Sequence, residues 1–482
     1  MSSAGGSRSR GEGRPVIAAV LVPLTMFGWI LSGLVLCPWL GVRRGIAAVV
    51  VLGWLLLPMA AYRIDLFPAY DKLFSIALAA TLALVVYDSP RLAMFRPGLI
   101  DLPMFLFCAS PMATSIATGL GPYDGYTVIC MRLLTWGFPY LIGRITFGTL
   151  EGMRDLALWI VIGGLVYAPL CLFEIKMSPQ LSNWIYGIAV AGWDQTFRFG
   201  GWRPNVFLQH GLATGLFMCS AATAAVVMWR RKCVDRMGPM RSVYAAGLLV
   251  VIAVLCKSTG AIVLMLMALG FAALSRIGRS RIPVIVMLLL APAYMGVRAT
   301  GIWSGDHLVQ AANVVGEDQA GSLQMRITNE NIIAARAMRK PVLGWGTWSK
   351  GGDDESGFNK MNAVTDGYWT IVLGSAGFVG LVSFTTAMLL PALLLVRRLA
   401  PATLLDSVHS PAFAMAMIVI MFIIDCLFNA MPNPVFPVAV GGLAVLATLR
   451  VAPQLATGAA GRPIGQVAQR RGPTGATGGP RP

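Results

Sequence analysis

Charge is scarce in this 482-residue chain: Asp, Glu, Lys and Arg make up 12% of it, against 56% hydrophobic residues. Histidine occurs three times. The eight cysteines (37, 108, 130, 171, 219, 233, 256 and 426) show no Cys-x-x-Cys and no paired spacing, so neither a disulfide framework nor a metal site is implied. Mean hydropathy is +0.70, where soluble domains sit near or below zero, and a soluble enzyme is thereby excluded. Acid is the scarcer sign, with 21 Asp and Glu against 38 Lys and Arg and a formal net charge of +17. In a soluble protein that balance would suggest nucleic acid. Here the basic residues sit mostly in short loops between apolar runs and in the tails, as membrane insertion favours on the cytoplasmic side, so no nucleic-acid partner is expected.

What the chain has in abundance is apolar runs: 16–36, 45–62, 73–87, 102–120, 126–147, 156–173, 206–229, 243–256, 261–274, 282–297, 368–396, 412–430 and 435–449. Most are long enough to cross a bilayer as helices, which takes roughly 20 residues at 1.5 Å each. The expected fold is an all-α polytopic membrane helix bundle. Loops bearing Arg91 and Arg96, Arg154, the basic run 230–241, Arg276 to Arg281, Arg397 and Arg398, and the tail from Arg450 can all be cytoplasmic. The segments 174–205 and 298–366 are then external loops, the second one large, and 257–260 is a tight external turn. Thirteen spans would put Arg8, Arg10 and Arg14 outside, against the charge rule, so one of the first three segments is expected to fall short, leaving about twelve. Residues 1–15 and 451–482 read as disordered tails flanking a membrane domain over 16–450, since they are rich in Gly, Ser, Pro, Ala and Arg without periodicity. No internal repeat suggests the inverted halves of a transporter.

Polar sequence is concentrated in the long loop 298–366, which holds eight of the 21 acidic residues; loops of that length are usually functional or carry structure of their own. Within it 322–340 is expected to be a helix, with Leu323, Ile327, Ala334 and Met338 at helical spacing and Pro341 as its stop. Arg326 and Glu330 lie four residues apart on or beside that stripe, either as a structural ion pair or as groups facing an anionic headgroup. The turn Pro341-Val-Leu-Gly-Trp-Gly-Thr-Trp348 lacks the Gly-Lys-Ser/Thr ending of a phosphate-binding loop, and its tryptophans read as interfacial anchors or as ligand platforms. In the other external loop, Arg198 and Arg203 stand in a Gly-rich stretch just before a span, where two guanidinium forks match phosphate oxygens. His210 is expected four residues into that span, as a proton carrier or as a satisfied helix-end histidine. Lys257 closes a tight external turn against the charge bias, to snorkel or to face the same anion. Asp425 and Asn429 share one helix face, as helix-to-helix glue or as a functional carboxylate. Asp366, where the long loop re-enters the membrane, can take a proton from a hydroxyl or cap the following helix.

The order of these features resembles the O-antigen ligase and O-antigen polymerase superfamily over roughly 126–396. The likeness rests on the long loop with Arg326 on its helix, Pro341-Val-Leu-Gly-Trp-Gly346, and Tyr368-Trp-Thr-Ile-Val-Leu-Gly-Ser-Ala-Gly-Phe-Val-Gly380. It rests too on Phe138-Pro-Tyr-Leu-Ile-Gly-Arg144, the span ending at Glu174, the Arg198 and Arg203 loop, and Lys257-Ser-Thr-Gly-Ala261, which is similar to that family's Ser-Arg-Gly turn. The resemblance implies a metal- and cofactor-independent inverting glycosyltransferase in the cell inner membrane, working on the external face. Its donor would be a glycan on undecaprenyl pyrophosphate, and its acceptor a lipid or another glycan. Arg198, Arg203, Lys257 and Glu330 would then bind substrate, while Arg326 and Asp366 would be catalytic, the first stabilising the departing pyrophosphate and the second activating the acceptor hydroxyl. One position departs from the family, whose ligases usually carry a histidine where this chain has Asp366, and this shifts weight from ligase towards polymerase or an uncharacterised relative. The alternatives are a transporter or flippase of lipid-linked sugars, with Asp425, Lys257 and Glu174 as pathway charges, and a non-catalytic envelope assembly factor.

Overall fold

The computed structural model describes residues 16–64, 68–189, 193–313, 317–346 and 367–448. Almost everything described is helix, and the strands are three two-residue ribbons: Ala61–Tyr62 with Tyr70–Asp71, Phe197–Arg198 with Gly201–Trp202, and Arg236–Met237 with Met240–Arg241. Nine described helices are long and apolar enough to cross a membrane: Ala19–Leu40, Lys72–Met94, Leu99–Ala117, Pro122–Thr146, Leu150–Met177, Gly211–Arg230, Thr259–Ile277, Ile282–Ala299 and Tyr368–Arg398. Three apolar helices are shorter, Ser242–Leu255, Ser410–Asp425 and Val435–Thr448. In a bilayer every backbone group must be satisfied within the segment, which leaves helices as the spanning form for such sequences. The protein is an all-α multi-pass membrane bundle.

Burial separates the inner helices from the outer ones. Every residue of Ser410–Asp425 is buried, and Gly211–Arg230 is nearly so. Outer helices expose large apolar side chains such as Phe105, Leu266 and Ile282, which would be unfavourable in water but suit a lipid surround. Val42–Leu56, almost wholly buried, runs between the two ends of the bundle. At one end Arg43 bonds Glu151 (3.0 Å) and Arg44 bonds Asp155 (3.1 Å). Near the other, Lys72 Nζ donates to the Trp54 carbonyl (3.0 Å) and the Phe207 carbonyl (3.4 Å).

Tyr368–Arg398 is broken at Gly377, and the break explains the Gly-rich turn before it. Gly377 has φ 60° and ψ −159°, a conformation open to glycine alone. The chain 341–346 docks in the gap. Trp345 and Gly346 donate their N–H groups to the carbonyls of Gly374 (2.8 Å) and Ser375 (3.0 Å), while Phe378 and Val379 donate to Pro341 (2.7 Å) and Val342 (3.1 Å). Four groups released by the kink are thus re-bonded by the turn, as a low-dielectric setting demands. A Cβ on Gly377 would collide with the Pro341 and Val342 carbonyls. Gly377→Ala is therefore expected to cost more than about 2 kcal/mol, from the conformation and the collision together. A thermal unfolding midpoint for the detergent-solubilised variant equal to wild type would contradict this docking.

Two expectations change in detail. The loop helix runs Glu317–Ala337 and not 322–340, ending ahead of Pro341 in a turn. The span expected from 206 begins at Gly211, because Asn205 and Val206 both give their N–H groups to Glu174 and Val206 takes a left-handed φ of 55°. His210 therefore precedes the helix instead of lying within it.

Candidate functional site

The end of the bundle that carries Lys72 and Phe207 also gathers most of the polar residues singled out in the sequence. Glu174, at the last turn of Leu150–Met177, organises it. Its Oε1 accepts from Leu181 N–H (3.0 Å) and its Oε2 from Asn205 (2.8 Å) and Val206 N–H (2.7 Å), so one buried carboxylate pins both ends of the loop between two spans. Within that loop Phe197–Arg198 and Gly201–Trp202 pair through a two-residue turn with positive φ at Phe199 and Gly200, the geometry that closes a tight hairpin. Arg198 is half-buried on that hairpin.

Arg203 follows it and is 7% exposed. Its guanidinium donates to the Lys257 carbonyl (3.2 Å), its Nε is buried without a hydrogen-bond partner, and so are both polar atoms of the Asn205 side chain. Buried polar atoms without partners are rare in folded proteins. Gly211 makes room for the Arg203 stem, since a Cβ there would meet its Cγ and Cδ. Burial first, and then the nearby charges of Arg198 and Arg326, push the Arg203 pKa down to about 10; the group stays charged at neutral pH, against both influences. Three guanidinium groups thus share one neighbourhood, and no ion pair is found for Arg198 or Arg203 among the described residues. A desolvated cation held among like charges is unfavourable unless an anion offsets it.

Arg326 comes from the loop helix Glu317–Ala337 and donates to the Phe428 carbonyl (2.9 Å) and to Asn429 Oδ1 (3.1 Å). Asn429 in turn donates to Asp425 Oδ1 (2.7 Å). Asp425 is thereby tied to the arginine through an amide, a link invisible from the spacing of Asp425 and Asn429 alone. Glu330 is not the partner of Arg326. It accepts from Arg298 (3.3 Å) and Tyr294 Oη (2.8 Å) at the end of Ile282–Ala299. Burial pushes the Glu330 carboxyl up and the Arg298 charge pulls it back. This group holds the loop helix to the bundle, the structural half of the two readings of Glu330, although with a different cation.

Lys257 takes φ 52° in its turn and donates through Nζ to the Phe199 carbonyl (3.2 Å). It steadies the hairpin of Arg198 while its own carbonyl receives Arg203. His210 is the N-cap of Gly211–Arg230: Nδ1 accepts from Leu212 N–H (3.1 Å) and Nε2 lies 2.9 Å from Gln195 Oε1. Burial, with Arg203, Arg326 and Arg198 adding to it, lowers its pKa to about 4, so the ring is neutral at pH 7 and suited to accept at Nδ1. Trp345 donates to the Arg336 carbonyl (3.2 Å), with the Lys340 ammonium 4.2 Å from its ring centre. Trp348 and Asp366 lie outside the described residues. The N-cap of Tyr368–Arg398 is Gly367, and the first N–H groups of that helix donate to the Asn429 and Cys426 carbonyls (3.3 Å each).

The arrangement offers a dense set of guanidinium donors, fixed in place before any ligand arrives, at one end of a membrane bundle. Sequence reasoning found Arg198 and Arg203 as two arginines in a Gly-rich loop, and Arg326 by its spacing on the loop helix. It missed Asn205 and Arg298, which carry no motif and become informative only through their partners, and it named Asn429 only with Asp425, not with Arg326. Compared with known protein families and with curated proteins, the chain gives no match.

Proposed function

We propose that the protein is a membrane glycosyltransferase of the O-antigen ligase or polymerase kind, moving a glycan from undecaprenyl pyrophosphate to a lipid- or glycan-bound acceptor. The observation that carries this reading is the buried Arg203, flanked by Arg198 and Arg326, with its Nε unsatisfied. Such a cluster favours a polyanion with several phosphate oxygens, which guanidinium groups bind as paired forks. The acceptor hydroxyl oxygen attacks the anomeric carbon of the donor while the bond from that carbon to the pyrophosphate oxygen breaks. The pyrophosphate leaves with the electron pair, the arginines stabilise the charge it gains, and the hydroxyl proton passes to a base, a role we assign to Asp366. Attack opposite the leaving group inverts the anomeric centre.

In this reading the protein sits in the inner membrane with the arginine end facing outward, opposite the loops rich in Lys and Arg. Nine described helices are long and apolar enough to cross; this reading takes the three shorter apolar helices and Val42–Leu56, which runs between the two ends of the bundle, as crossings too, one more than the twelve expected from the charge rule. A flippase or transporter is less well supported, since two of its expected pathway charges, Glu174 and Lys257, are engaged with backbone groups.

The test is made on cells lacking the protein, by extracting undecaprenyl-linked glycans and determining their chain length and membrane face. Short units accumulating on the external face are expected. Units trapped on the cytoplasmic face would transfer the assignment to a flippase and remove the active site described here.

A further inference from the structure

Another buried cation, within an apolar span, lies outside the arginine cluster. Arg132, 8% exposed, stands within the apolar Pro122–Thr146 span. The hydrogen-bond partners found for it are neutral: one terminal nitrogen donates to the Phe107 carbonyl (2.7 Å) and to Ser110 Oγ (2.9 Å). That carbonyl is four residues before Pro111, which has no N–H to give it, so one arm of the guanidinium repairs a proline break. The residue also lines a cavity of about 270 Å³. Lining it too are Val128, Met131, Trp136, Ile371 and Tyr368, an apolar and aromatic wall.

The cavity depends on an irregularity in the helix. Directly after Arg132 the chain makes a π-helical turn, Leu133–Gly137, which turns Thr135 and Trp136 into the cavity lining; such turns within α-helices are concentrated at functional sites. Trp136 is then seated against Tyr368 (5.2 Å between ring centres) and Phe384 (4.9 Å). The cavity and the arginine cluster meet at one loop, 426–434. Its Phe428 carbonyl and Asn429 hold Arg326, while its Pro432 lines the cavity. A cation beside apolar walls at membrane depth matches a phosphate attached to a hydrocarbon chain, because neither a free polar anion nor a neutral lipid uses both features.

We propose that the Arg132 cavity is a second lipid-phosphate site and that it holds the lipid phosphate of the acceptor while the arginine cluster holds the donor. This rests on the glycan-transfer reading. It makes the acceptor a second lipid-linked glycan, whose own bond to its carrier stays intact as its sugar hydroxyl attacks the donor. The acceptor carrier is taken to be an isoprenoid, and competition by a glycerol lipid tests that choice.

The full-length protein, in phosphatidylcholine nanodiscs, is labelled with a photoreactive polyprenyl phosphate, and the crosslinked peptides are mapped. Label is expected in two places, 122–146 with 368–376, and 198–210. Arg132→Gln is expected to lower labelling of the first by at least about tenfold, the loss for one charged phosphate partner, and to leave the second unchanged. Val128→Trp, which fills the cavity and leaves the Arg132 bond to Phe107 untouched, is expected to do the same, so a folding defect in one variant does not decide the result. Unlabelled polyprenyl phosphate should compete and phosphatidylglycerol should not. Undiminished cavity labelling in both variants, no cavity labelling in wild type, or equal competition by phosphatidylglycerol overturns the acceptor site. Absence of label from 198–210 alone strikes the donor assignment of the arginine cluster instead.

Discussion

Arg203→Ala abolishes glycan product while the protein still inserts and accumulates, and Arg326→Ala does the same: this is the expected result in cells carrying either variant as the sole copy. Removing one preorganised donor that stabilises developing charge typically costs about 10²- to 10³-fold in rate, enough to erase product at steady state. The structure adds a second readout. Arg203 is desolvated and repelled by Arg198 and Arg326, with the Lys257 carbonyl as its one hydrogen-bond acceptor among the described residues. Replacing it relieves that repulsion, so the purified variant should unfold at the same temperature as wild type or above it. A residue kept despite its cost to stability is the signature expected of a functional group. Arg203→Lys, which keeps the charge and loses the planar fork, should fall between the two. Full product from both alanine variants would sink the pyrophosphate assignment.

Glu174→Ala is expected to lose stability and product together. Its carboxylate accepts from three backbone N–H groups, those of Leu181, Asn205 and Val206, at one end of the bundle. Each buried donor left unpaired costs about 1–3 kcal/mol, and the loop that carries Arg198 and Arg203 would lose both of its anchors. Glu174→Gln keeps an acceptor for the Asn205 and Val206 pair but turns an amide N–H toward that of Leu181, so a smaller loss is expected. The measurement is thermal unfolding of detergent-solubilised protein alongside product in cells. Product lost with stability unchanged would mean that Glu174 acts on substrate or on a transported ion rather than as the anchor of the loop.

The contrast between these two residues shows how much of the site was legible in the sequence. Arg198 and Arg203 stood out as two arginines in a Gly-rich external loop, and Arg326 by its place on the loop helix four residues before Glu330. Glu174 reads in the sequence as the end of a span and as a candidate pathway charge, since an acid there looks the same whether it faces a substrate or the three amides it accepts from. Glu330 was paired with Arg326 by helical spacing, four residues apart, whereas the tertiary fold gives it Arg298 and Tyr294 from another helix. The Arg326 contacts at Phe428 and Asn429 join segments about a hundred positions apart, and no local pattern encodes them. Arg132 was passed over inside an apolar run, although a charge in the middle of such a run is itself a signal.

The sequence by itself determined that this is a helical membrane protein, roughly where its spans lie, and that its polar material is concentrated in two loops. Those properties follow from hydropathy, length and the sign of nearby charges, which are sums over neighbouring residues and survive any arrangement of the helices. The tertiary structure alone decided that three arginines from two distant loops share one neighbourhood, and that the 341–346 turn fills the break at Gly377. It also decided that Arg132 faces a cavity shaped by a π-helical turn. Each of these depends on which helices pack together and how deeply a side chain is withdrawn from its surroundings, and desolvation and charge proximity are properties of that packing, not of the order of residues along the chain.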